Sequence, residues 1–157
     1  MDRGVLTAIR EMLTTRQVLC LAATIDGEPA ASLLPFAVAP DYRGVYVQAS
    51  TLAKHSRALQ PGAKVGLLIH EPDIDGVDAL QVARLTVQAT VQLLERGTGA
   101  FEEASELFVR RLPSTEMTLA LGDFSLYRLA FGSGRYVAGF AQAYHVGPET
   151  FEELAHL

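Results

Sequence analysis

Apolar residues recur at Val5, Leu6, Ile9, Met12 and Leu13, with Arg3, Thr7, Arg10 and Glu11 between them. That spacing predicts a helix with one buried face, and Asp2 stands where a side-chain cap belongs. Residues 17–25 are apolar on both sides, which predicts a strand buried in a barrel. Asp26-Gly27 is a turn signal, and residues 29–39 should pair back as the second arm of a hairpin. Pro35 lies within that arm; it cannot donate to a ladder, so it marks an edge, a bulge or a place where the sheet opens.

The stretch 44–69 reads as a strand ending in Ala49-Ser50-Thr51, a short helix carrying Lys54, His55 and Arg57, a Pro61-Gly62 turn and another strand. Alternation is strict over residues 84–93. Leu85, Val87, Ala89, Val91 and Leu93 form a core face, and Arg84, Thr86, Gln88, Thr90 and Gln92 face solvent, a ligand or a second subunit. The period then changes, because Phe101, Ala104, Leu107, Phe108 and Leu112 line one side of a helix that Pro113 ends. Residues 115–121 give one more short helical segment. Strands over 124–131 and 136–146 follow, joined by Gly132-Ser133-Gly134 as a hairpin turn, and Pro148 opens a terminal helix.

Six or seven mostly antiparallel strands with inserted helices predict a mainly β protein built as a closed or split barrel. No repeat or linker divides the chain, so residues 1–157 are expected to form a single domain. Hydrophobic residues make up 49%, enough for a real core, yet no run approaches the roughly 20 apolar residues of a membrane span. The N-terminus lacks a secretory pattern, and the expectation is a soluble cytoplasmic protein without a membrane partner. A net charge of −5 argues against nucleic acid, which needs a broad basic surface.

Candidate chemistry is sparse. Cys20 is the only cysteine and reads as a small core residue. His55, His70, His145 and His156 are scattered without metal-ligand spacing, so no metal site is expected. There is no G-x-S-x-G elbow, P-loop or G-x-G-x-x-G. What remains is Ser50, Thr51, Lys54, His55 and Arg57, where hydroxyls and cations gather at a helix start whose amides favour an anion such as phosphate. An ordinary capped surface helix would have the same composition, and residues alone leave the two open.

The ordered segments TIDGEPAASLLPF, ASTLAKHSRAL, KVGLLI, ARLTVQATV, DFSLYRLAF and YVAGFAQAY resemble the pyridoxamine 5′-phosphate oxidase-like family of FMN-binding split β-barrels. The resemblance spans about residues 17–146 and is nearest to the haem-utilisation branch, and the expectation is this domain without the branch's usual extra C-terminal one. It implies a six- to seven-stranded antiparallel split barrel, a homodimer and FMN held at the subunit interface. It also implies an oxidoreductase acting on a small-molecule substrate. By position, Ser50, Thr51 and His55 match the phosphate-binding segment, with Lys54 and Arg57 beside them. Ser32, Leu34 and Pro35 match the segment lining the flavin, Arg84 a polar position toward the cofactor, and Phe140 and Gln142 a segment bordering the isoalloxazine ring.

The oxidase proper carries a lysine where this chain has His55, an arginine-rich strand where it has ASLLPF, and a substrate-binding arginine motif for which only Arg135 is on offer. Pyridoxamine phosphate is therefore not the expected substrate. The nearest branch motivates a second expectation, a haem-binding or haem-handling protein with His145 and His156 as candidate iron ligands. A third is a flavin-binding module without turnover.

Overall fold

A computed structural model describes all residues, Met1–Leu157. The chain runs α1 (Arg3–Thr15), β1 (Val18–Ile25), β2 (Glu28–Val38), β3 (Gly44–Ser50), β4 (Lys64–His70), β5 (Arg84–Leu94), α2 (Gly99–Arg111), α3 (Glu116–Ala120), β6 (Phe124–Gly139), β7 (Gln142–Val146) and α4 (Pro148–Leu154). Its strands follow the order β3-β2-β1-β4-β5-β6-β7, all antiparallel, and β3 also pairs with β6. Six strands thus close into a barrel while β7 hangs from the far half of β6, the split-barrel fold the sequence predicts. No helix is long and apolar enough to cross a membrane.

Pro35 sits where β2 changes partner. Residues up to Pro35 pair with β1, and only Phe36, Ala37 and Val38 pair with β3. A residue with no N–H to donate suits that handover, because the ladder on one side ends there. The short 3-10 turn Lys54–Ala58 packs against β1, β2 and β3 beside this opening, burying Ser56 and Ala58.

The interior is a cluster of 26 buried residues to which α1 adds Leu6, Ile9, Met12 and Leu13 and α4 adds Phe151 and Leu154. As read from the sequence, the Asp2 side chain caps α1 by accepting from the Gly4 amide at 2.8 Å. A second cluster lies outside the barrel wall. There α2 and α3 set Phe101, Ala104, Phe108, Leu112 and Leu119 against Ala37, Ala39, Tyr46 and Leu126. Covered on both faces, β3 is buried almost throughout.

The opposite wall has no such cover. β1 was expected to be buried on both sides, but its residues alternate, with Leu19 and Leu21 inside and Val18 and Ala22 exposed, because no helix packs on its outer face. β5 alternates as predicted as far as Val91, after which Leu93 is exposed and Leu94 packs on the second cluster.

Gly132-Ser133-Gly134 is not the expected turn. β6 runs straight through it, and the hairpin lies at Phe140-Ala141, where Ala141 takes a left-handed φ of 62°. The glycines serve close approach instead. A Cβ on Gly134 would lie 2.0 Å from the Thr86 carbonyl oxygen and 2.7 Å from the Val87 Cα, beside the register shift between Val87 and Ala89.

Candidate functional site

Backbone pairing places the predicted residues in two groups. Ser50 ends β3 opposite Phe124, the first residue of β6, whereas Arg84 opens β5 opposite Val137, near the last. Phe140 and Gln142 belong to the same far end, at the β6–β7 hairpin, where the Phe140 amide donates to Gln81 Oε1. One chain therefore does not bring the strand-end hydroxyls and the β5–β7 residues into one pocket.

At the near end, the expected helix is only a five-residue 3-10 turn, preceded by Ala53 with no side-chain cap. Its first amides have no acceptor within so short a turn. The Ser50 hydroxyl accepts from the Leu52 amide and donates to the Asp123 carboxylate at 3.0 Å. Arg57 pairs with Asp26 of the β1–β2 turn. Two of the five predicted phosphate donors are thus engaged by carboxylates, while Thr51 and Lys54 are exposed. His55 is half-buried, and burial pushes its imidazole below the ordinary value toward the neutral form.

On β2, Ser32 pairs with Leu21 and is half-buried. Leu34 was matched to the segment lining the flavin, and its side chain turns inward. Strand alternation turns it into the main core, where it is 3% exposed, and puts Leu33 and Pro35 on the outer face in its place. The Arg84 guanidinium donates to the Val82 carbonyl at 3.0 Å, which fixes it beside its own strand.

The uncovered wall carries the most suggestive arrangement. Registers align Leu33, Cys20, Leu68, Thr86, Arg135 and His145 in one row across β2, β1, β4, β5, β6 and β7. The neighbouring row is Ala31, Ala22, Gly66 and Gln88. Apart from Leu33, these residues floor a shallow cavity of about 570 Å³ in which small and apolar residues meet Thr86, Gln88, Ser133, Arg135 and His145, and no carboxylate lines it. Such a volume and a mostly apolar floor with few polar groups suit a cofactor-sized ligand. Of these residues the sequence had raised Arg135, His145 and Cys20 in other connections. Thr86 and Gln88 were readable as the non-core face of β5, but nothing local announced which strands would lie beside them. His156 lies past the end of α4, exposed and outside this floor.

Two further groups, Asp41 and Tyr136, are shifted by their surroundings. Burial alone would raise the Asp41 carboxyl, but the Arg128 side chain at 2.7 Å and the Arg43 amide at 3.0 Å, with the charges of both arginines, hold it below its ordinary value. Tyr136 is pushed up by burial, then by the Glu71 charge and by Tyr144. No group of three or more His, Cys, Asp or Glu side chains could hold a metal ion.

Comparison with known proteins adds to this geometry. The chain is 30% identical over 152 residues to HutZ, a haem oxygenase of Vibrio cholerae serotype O1, a match covering 95% of this chain and 85% of that protein. A haem-binding protein from Mycobacterium smegmatis superposes with a TM-score of 0.83 at 20% identity, over 98% of this chain. This chain spans only 62% of that protein's length. An FAD and haem binding protein, also from Mycobacterium smegmatis, superposes with a TM-score of 0.61 at 19% identity, over 83% of this chain and 67% of the other. At these identities the two structures carry the fold alone. No protein-family model matches the chain.

Proposed function

The chain belongs to the pyridoxamine 5′-phosphate oxidase-like split-barrel family, with HutZ among its relatives, and from that premise we propose that it binds haem on the bare outer wall of the barrel. The observation that carries the reading is the exposed His145 imidazole beside Arg135 at the edge of a floor of Cys20, Ala22, Ala31, Gly66 and Leu68. The residues suit the group. A tetrapyrrole needs a flat apolar surface, a nitrogen ligand for its iron and a cation for its propionates, and the absence of carboxylates spares the propionates repulsion. His145 would ligate the iron and Arg135 would hold a propionate. Bound haem supplies an iron centre for redox and oxygen chemistry.

One wall covers only one side of a planar ligand. Leu33 and Val18, both exposed apolar residues of β2 and β1, continue the wall toward solvent. A second copy facing this surface would enclose the ligand, so the binding unit in this reading is a homodimer. Light scattering on the haem-loaded protein should report twice the chain mass. Titration with haem should raise a Soret band that survives gel filtration, is lost in His145→Ala and is kept in His156→Ala; loss in the second variant alone would place the iron elsewhere.

A specific observation also supports flavin. The Thr51 hydroxyl, the Lys54 ammonium and the leftover amides of the 3-10 turn could hold the phosphate of FMN at the barrel's near end. Asp123 and Asp26 oppose that reading, since both bring negative charge to the segment. FMN binding at micromolar concentration that is weakened by a Thr51→Ala plus Lys54→Ala double variant would establish it, and undiminished binding would remove it. Either cofactor would bring its own redox chemistry.

A further inference from the structure

A second cavity lies on the covered side of the barrel, and none of its lining residues belongs to the outer-wall cavity. It occupies about 430 Å³ between the C-terminal ends of α1 and α2 and the β2–β3 turn. Ala39, Pro40 and Leu107 form its apolar side, and Tyr42, Arg110 and Arg111 complete it. We propose that this cavity binds a small amphipathic carboxylic acid, with its hydrocarbon body on the apolar side and its carboxylate on Arg110.

The charges argue for an anion. Arg111 is committed, since its guanidinium donates to the carbonyls of Thr15 and Arg16 at 2.9 and 3.3 Å and so closes the C-terminus of α1. Arg110, next to it, makes no hydrogen bond or ion pair within the chain and no carboxylate lies within ion-pair distance of either. Asp41, in the same turn as Pro40 and Tyr42, is held by Arg128 and the Arg43 amide. Arg110 is exposed at the mouth of this apolar cavity, and with no carboxylate partner of its own it can offer an anion a charge-assisted hydrogen bond.

The wall of the cavity is also built at a cost. Tyr42 adopts φ 58°, a left-handed conformation that Gly or Asn would take with less strain. Its ring is then fixed by Arg10, whose Nε donates to the hydroxyl at 3.1 Å and whose guanidinium carbon lies 5.2 Å from the ring centroid. An aromatic side chain where glycine would be easier gives the cavity a rigid side, with the Arg10 guanidinium behind it as a third cation.

The probes are decanoate and its uncharged counterpart decanol, titrated calorimetrically into the purified protein. Decanoate should bind at least about 10-fold tighter than decanol, as expected of one charge-assisted hydrogen bond. Arg110→Gln should abolish that preference, and Arg110→Lys should restore part of it. Leu107→Trp, which fills the cavity from half-exposed α2, should weaken both ligands. Equal binding of the two probes, no binding of either at millimolar concentration, or a preference that survives Arg110→Gln would overturn the proposal. So would a preference lost in Arg135→Leu, because the acid would then occupy the outer wall.

Discussion

Arg135 of β6 stands directly across the ladder from His145 of β7, so a cation and an imidazole share one row of the bare barrel wall. If they divide the work of holding haem, the arginine acts on the propionates and the histidine on the iron. Arg135→Leu should then weaken haem roughly 10-fold, about 1.4 kcal/mol, while leaving the affinity for haem dimethyl ester unchanged. His145→Ala should weaken both. Absorbance titrations of the two variants with the two ligands check this, and equal losses for haem and its ester in Arg135→Leu would mean that the arginine does not meet a propionate.

The Ser50 hydroxyl points at the Asp123 carboxylate, and that contact decides whether the near end of the barrel can accept phosphate. Asp123→Asn removes a charge and leaves a hydrogen-bond partner of the same shape. If FMN places its phosphate there, the variant should bind it several-fold tighter, and Ser50→Ala should bind it several-fold weaker. Flavin fluorescence quenching measures both. Unchanged affinity in both variants would leave the segment a structural turn.

Gly134 tests the barrel rather than the ligand. A methyl group there would lie 2.0 Å from the Thr86 carbonyl and 2.7 Å from the Val87 Cα, both backbone atoms that cannot rotate away. Gly134→Ala should cost about 3 kcal/mol and lower the urea midpoint by more than about 1 M. Ser133→Ala, at an exposed neighbouring position, should stay within about 0.5 kcal/mol of the wild type. A Gly134→Ala variant of unaltered midpoint would show that β5 and β6 can separate at the register shift.

Those glycines also show where the sequence misleads. Gly-Ser-Gly between two apolar segments has the composition of a turn, and the requirement it actually meets, approach to the backbone of β5, depends on a strand some forty-odd residues earlier. Local signals served well where local physics decides: the Asp2 cap, the apolar stripe of α1 and the alternation of β5 as far as Val91 are where the pattern put them. Ser50 and Arg57 were legible as donors but not as donors already engaged, since Asp123 and Asp26 reach them from other elements. The outer wall was least legible of all. Its floor draws residues from six strands, and only the registers reveal that Cys20, Leu68, Thr86, Arg135 and His145 share a row.

His55 couples the near end of the barrel to pH. Burial holds its imidazole below the ordinary value of 6.5, so the folded chain resists a proton that the unfolded chain accepts. Its stabilising contribution is therefore complete above about pH 6.5 and is lost as pH falls through that value toward the lower folded one. His55→Asn should flatten this part of the profile: the fall in urea midpoint between pH 7.5 and 5.5 should be smaller than in the wild type. An anion bound beside the imidazole acts in the opposite sense, because it favours the charged form. Proton NMR of the imidazole should thus show titration below 6.5 in the free protein and an upward shift when FMN is added. If the titration does not move while FMN binds, the phosphate lies away from this turn, and the near end of the barrel has no part in holding the cofactor.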